Sequence, residues 1–131
     1  MNQELQDIIH ASNFQIYEGD YIYAKVKKLP SLDGHFMVTK DKDEITVVTT
    51  AESLKSLELE ERNKDTYSLI ALNVSIPFYS VGFLAAVSDA IAAAGMNILI
   101  VSTYSKDYIM VKSDCLEKAK KVLLNIGFIQ K

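Results

Sequence analysis

Residues Ser80–Lys112, SVGFLAAVSDAIAAAGMNILIVSTYSKDYIMVK, decide the fold. They set a turn, an amphipathic helix, a glycine stop, an apolar strand and a hairpin in direct succession. The spacing predicts a helix from about Val81 to Ala94, because Phe83, Leu84, Val87, Ile91 and Ala94 recur every three or four positions. Gly95 supplies the left-handed residue on which helices commonly stop. Asn97–Thr103 then runs apolar through Ile98, Leu99, Ile100 and Val101, the pattern of a central strand covered on both faces. Ser105-Lys106-Asp107 turns the chain, and Tyr108–Val111 returns it.

Working outward, Ser68–Ile76 alternates, with Ile70, Leu72, Val74 and Ile76 on one face and Leu69, Ala71, Asn73 and Ser75 on the other. Pro77 ends that strand, since it has no N–H for the ladder. Downstream, Ser113 or Asp114 caps a second helix, with Glu117 in the capping-box position after Asp114. Leu116, Ala119, Val122, Leu123 and Ile126 form its apolar stripe, Gly127 ends it, and Phe128-Ile129 makes a short last strand. Strand, helix, strand, strand, helix, strand is the order of a ferredoxin-like α+β unit: an antiparallel sheet with two helices on one face. The other face, carrying Leu69, Ala71, Leu99 and Val101, then needs a partner, either the first half of the chain or a second copy.

The first half reads as strands. Phe14–Glu18 and Tyr21–Val26 form an expected hairpin about Glu18-Gly19-Asp20, and Pro30–Gly34 is a loop. His35–Thr39 and Glu44–Thr49 form a second hairpin across Lys40–Asp43, and Ala51–Leu57 makes a short helical turn. The charged run Glu58–Asp65, ELEERNKD, reads as an exposed linker or strand lead-in. Two domains are therefore expected: a strand-rich half over residues 1–63 and the βαββαβ unit over residues 64–131.

Composition narrows the function. In 131 residues, 49% are hydrophobic, enough for a true core, and the net charge of −3 disfavours nucleic acid as a partner. No apolar run approaches the ~20 residues of a membrane span, and the N-terminus lacks the pattern of a signal peptide, so a cytoplasmic protein is expected. Cys115 has no cysteine to pair with and no histidine near it in the sequence. His10 and His35 stand far apart in unrelated contexts, which disfavours a metal site. Asp41, Asp43 and Glu44 alternate with Lys40 and Lys42, the composition of a solvated hairpin tip. No nucleophile with its base is present as a motif, so neither a catalytic residue nor a cofactor is expected.

The string VGFLAAVSDAIAAAGMNILIVST resembles an ACT domain, the regulatory amino-acid-binding module, and in particular the second ACT repeat of aspartate kinases. It shares their valine-glycine turn, alanine-rich helix, glycine-x-asparagine-isoleucine step and serine-threonine strand end. STYSKDYIMVK and HFMVTKDKDEITVV are similar to the signatures of small stand-alone tandem ACT-like proteins, a group that includes relatives of animal cytosolic arginine sensors. The resemblance implies that the first half is a degenerate ACT-like repeat. Two departures fall near the implied ligand edge: Ser105-Lys106-Asp107, and Ile76-Pro77-Phe78-Tyr79 ahead of Ser80.

In such modules the helix turn and the next strand start line a cleft between paired domains. The resemblance thus implies ligand contacts at Ser80, Val81, Gly82, Phe83, Asn97 and Ile98, with Ser102, Thr103 and Tyr104 in support. The chemistry suits a free amino acid. The leading amides of a helix have no intrahelical partner and attract a carboxylate, and a glycine lets backbone approach. The implied function is a small regulatory or sensor protein binding an amino acid or similar metabolite non-covalently, with a homodimer or regulated protein as partner. The alternative is an ACT-fold interaction or oligomerisation module without a ligand.

Overall fold

The computed structural model describes residues 1–74 and 81–131. In chain order the elements are α1 (Gln3–His10), β1 (Asn13–Ile16), β2 (Tyr21–Val26), β3 (His35–Lys40) and β4 (Ile45–Thr50), then a 3-10 turn at Ser53–Ser56 and β5 (Leu59–Arg62). They continue with β6 (Tyr67–Asn73), α2 (Phe83–Ala93), β7 (Leu99–Ser102), β8 (Asp107–Lys112), a 3-10 turn at Ser113–Cys115, α3 (Leu116–Ile126) and β9 (Ile129–Gln130). The chain forms two compact units. One comprises Met1–Glu18 with Ser68–Lys131, the other Gly19–Tyr67. This differs from the expected single cut at 63/64: the N-terminal residues fold with the C-terminal unit.

The discontinuous unit has the expected βαββαβ order in β6, α2, β7, β8, α3 and β9, and it recruits two elements from the N-terminus. Its strands lie in the order β9-β1-β6-β8-β7. The expected hairpin between β1 and β2 does not form. Instead β1 runs antiparallel to β6, from Asn13↔Asn73 to Ile16↔Ile70, and β9 runs parallel to β1. Phe14 explains the choice: on β6 it joins an existing core, where it is fully buried and meets Phe128 edge-on at 6.4 Å. Asn73 Nδ2 donates to Asn13 Oδ1 at 2.7 Å and closes the end of the ladder.

Helix α1, which the sequence reading left unassigned, adds a third helix to the unit's core. Asn2 caps it by accepting from the Leu5 amide at 2.8 Å, and Leu5 and Ile9, four apart, are its buried residues. They join Phe83, Val87 and Ile91 of α2 and Ala119 and Leu123 of α3, with Ile70 and Leu72 of β6 from the sheet. Leu69 and Ala71, on the other face of β6, are fully buried too. Gly95 has φ +84 as expected, and the Met96 and Gly95 amides donate to Ile91 and Ala92 carbonyls at 3.2 and 2.9 Å, a Schellman stop.

Two further expectations change. Strand β7 pairs only with β8 among the described residues, and its side chains alternate between half-buried and exposed, with Ile100 40% exposed. It is an edge strand of its unit; of the apolar run Ile98–Val101, Ile98, Leu99 and Val101 are half-buried and Ile100 is exposed. The capping box of α3 is absent as well: Ser113–Cys115 forms a 3-10 turn, and no side chain caps the helix. The end of the first βαβ strand at Ile76 and the stop at Pro77 lie outside the described residues.

The second unit is a small antiparallel sheet in which β4 lies between β3 and β2, and β5 takes β2's other edge. Ala24, Val26 and Val47 form its core under Leu54 and Leu57 from the 3-10 turn. Thr49, fully buried, donates to the Gly34 carbonyl at 3.2 Å and so accepts from His35 Nδ1 at 2.8 Å. The hairpin tip is held by Asp41, whose carboxylate accepts from the Asp43 and Glu44 amides at 2.8 and 3.0 Å. The charged run 58–65 is exposed, as expected, yet it supplies a paired strand in β5.

Gly127 ends α3 at φ +120, and a side chain there would run into the His10 imidazole; Gly19, at φ +98, faces open space. Gly127→Ala is expected to cost about 2–3 kcal/mol and Gly19→Ala about 1 kcal/mol, since only the first adds a clash to backbone strain. Urea denaturation of the two variants measures this; equal losses would show that His10 does not pack against the Gly127 turn.

Candidate functional site

Val81 is 93% exposed, and Gly82 takes the left-handed conformation at φ +85 and ψ 0, at the N-cap position. A Cβ there would stand at an ordinary 3.7 Å from Leu5, so backbone conformation rather than space selects glycine. The Gly82 carbonyl accepts from the Ala86 amide at 2.9 Å, and among the described residues no side chain caps the helix. The leading amides of α2 carry the positive end of the helix dipole. Ser80 lies outside the described residues.

Phe83 is 3% exposed and meets Phe128 edge-on at 5.8 Å. Its side chain is core, and only its backbone is left for a ligand. Asn97 is exposed, whereas Ile98 is half-buried against the core cluster. The eleven residues of α2 span about 16 Å, and Gly82 and Asn97 flank its opposite ends. One unit alone thus cannot place both on one small ligand.

Ser102, Thr103 and Tyr104 lie where β7 turns into β8. Ser102 Oγ donates to Asp107 Oδ1 at 2.6 Å. The Thr103 amide and hydroxyl both donate to the Lys106 carbonyl, at 2.8 and 3.2 Å. These groups close the turn, and Tyr104 stands 88% exposed beyond them. Lys106 and Asp107, departures from the related signature, are parts of that turn. Nearby in the same unit, the Tyr108 and Tyr17 rings meet edge-on at 6.0 Å. Burial, then a hydrogen bond and charge repulsion from Tyr17, push the Tyr108 phenol up to about 12.

The other chemically reactive groups have local roles. Burial and then Asp114 raise the Cys115 thiol above its ordinary range, which disfavours the nucleophilic thiolate. Among the described residues no group of three His, Cys, Asp or Glu side chains is arranged to hold a metal ion. Nor is any described helix long and apolar enough to cross a membrane. The sequence reading missed a cavity of about 520 Å³ in the second unit, bounded by β2 and the strand formed by the charged run. Its lining includes Glu61, Arg62, Asn63 and Lys64, part of the charged run expected to be an exposed linker or strand lead-in.

The element order defines a ferredoxin-like α+β unit. Residues 63–125 match the sequence family described as ACT domain. Among curated proteins no sequence matches significantly. Solved structures share the fold. A protein of unknown function from Vibrio cholerae, described as a possible transport protein, is 23% identical with a TM-score of 0.80, over 95% of this chain and 97% of the other. A protein from Agrobacterium tumefaciens is 24% identical with a TM-score of 0.74, over 92% of each chain. The ligand-free regulatory subunit of aspartate kinase from Thermus thermophilus is 12% identical with a TM-score of 0.60, over 90% of this chain and 97% of the other.

The Tyr17–Tyr108 pair sets a pH dependence. Because the folded state raises the Tyr108 pKa, its contribution is complete below the ordinary phenol value near 10 and is lost as pH rises toward about 12. Tyr23 is also raised, by burial and then Tyr67, so ultraviolet titration is expected to show more than one late phase, of which the latest, Tyr108, moves toward 10 in Tyr17→Phe. An unchanged latest phase in that variant would exclude Tyr17 as a cause.

Proposed function

We propose that this protein is a small regulatory or sensor module that binds a free amino acid or a similar metabolite non-covalently through its ACT domain. The observation that carries the reading is the start of α2: an exposed left-handed glycine precedes helix amides that no side chain caps among the described residues. That combination receives a carboxylate and leaves its approach open. Because Gly82 and Asn97 flank opposite ends of α2, a cleft that uses both requires the α2 turn of one ACT unit to meet the strand start of another. Occupancy then favours the paired arrangement, which is how a binding event becomes regulation. The likeness to a regulatory subunit of aspartate kinase supports a regulatory role over a catalytic one.

A second reading is an interaction module that keeps the fold without a ligand. It is favoured by β7, an edge strand with Ile100 40% exposed and the turn beyond it carrying the exposed Tyr104.

A thermal-shift screen against the twenty amino acids separates the two. The sensor reading expects a selective, saturable rise in Tm, worth about 2.7 kcal/mol at one hundred times Kd. Gly82→Val and the milder exposed change Asn97→Ala are each expected to weaken it at least tenfold. A flat screen at millimolar concentration, or a rise that both variants retain, would contradict it.

A further inference from the structure

We propose that α1 is a strap that opens and closes about Ala11 while the sheet stays folded, and that the closed strap holds the Gly82 turn at the start of α2. The helix touches two glycine turns of its unit. Near its start, Leu5 lies against Gly82, with Cδ2 3.7 Å from where a Cβ would project. At its last residue, the His10 imidazole occupies the space that a side chain on Gly127 would need. Ile9 is fully buried and Leu5 is 7% exposed, whereas Gln3, Glu4, Asp7 and His10 face solvent. Docking thus centres on two apolar side chains, four positions apart on one helix face.

The helix is built to lift as one piece. With eight residues it is marginal by itself, so α1 persists only while it is docked. Two side-chain bonds close within the segment and travel with it: Gln3 Nε2 donates to Asp7 Oδ1 at 2.8 Å, and Gln6 Nε2 to the Met1 carbonyl at 3.1 Å. Exposed Ala11 separates the helix from buried Ser12, whose carbonyl accepts from the Ile129 amide at 3.2 Å and stays with β9. Strand β1 then keeps its ladder to β6 from Asn13 onward. Across the contact, the first turn of α2 is closed by the Ala86 amide donating to the Gly82 carbonyl at 2.9 Å. Lifting Leu5 removes the side chain packed on Gly82, and that bond opens with the strap. Such coupling is reciprocal: whatever steadies the Gly82 turn also favours the closed strap.

The strap works without a ligand at the turn, so its failure and that of the metabolite reading are distinguishable. The test is native-state hydrogen exchange of the full-length protein, read amide by amide. The amides of residues 6–11 are expected to open at least tenfold more often than those of β6, and the Ala86 amide as often as they do. Asn2→Ala removes the acceptor that caps the Leu5 amide and alters no core side chain. It is expected to speed residues 6–11 about fivefold and Ala86 by the same factor, with β6 unchanged. Leu5→Ala is expected to speed both sets at least tenfold; where that variant fails to fold, Asn2→Ala decides. The proposal is overturned if residues 6–11 exchange as slowly as β6. It is also overturned if Asn2→Ala speeds α1 and leaves Ala86 at its original rate, or if β6 speeds up by the same factor as α1.

Discussion

The ladder between β1 and β6 is the interaction on which the ACT unit depends. Four register pairs join Asn13–Ile16 to Ile70–Asn73, and the Tyr17 amide extends the contact to the Leu69 carbonyl at 2.9 Å. That strand brings Phe14 into the core and positions α1, whose Ile9 is fully buried. Burying two such side chains contributes about 1.5–3 kcal/mol each before conformational entropy is subtracted. It also creates the edge on which β9 docks, through Ile129 and Lys131 amides donating to Ser12 and Phe14 carbonyls at 3.2 and 2.9 Å. The C-terminal strand therefore meets an N-terminal one, and the unit closes from both chain ends.

This arrangement makes residues 19–67 an insertion in the sequence of the discontinuous unit. The chain leaves that unit after Glu18 and re-enters it at Ser68, close to the pairing of Ile16 with Ile70. An insertion between two paired strands is tolerated because its ends are already held near one another. The discontinuous unit presents an exposed left-handed glycine, Gly82, at the start of α2.

Local order was legible in the sequence, and partner choice was not. The stripe Phe83, Val87, Ile91 with Gly95 identified α2 and its stop, because helix periodicity and a left-handed glycine are written within a dozen residues. The 35–49 hairpin and the helical turn near Ser53 were legible for the same reason. The fate of β1 was hidden: Glu18-Gly19-Asp20 advertises a hairpin, but Phe14 gains more from a strand more than fifty residues away. Helix α1 is only eight residues long, with two apolar anchors, too few to show a period. The run Ile98–Val101 hid an edge strand because Ile100 is apolar yet exposed. At the site, the glycine turn was readable, but not the separation of Gly82 from Asn97, which follows from helix length rather than residue type. Strand β5 was hidden because Leu59-Glu60-Glu61-Arg62 lacks apolar alternation, although it pairs with β2.

Native-state hydrogen exchange of the full-length protein tests the central claim, that the N-terminal segment completes the ACT unit. If β1 is integral, the ladder amides of residues 14–17 exchange as slowly as those of β6 in the same unit, through the same global opening. If the amides of residues 14–17 exchange orders of magnitude faster than those of β6, the N-terminal strand is a loosely attached arm and the account is wrong.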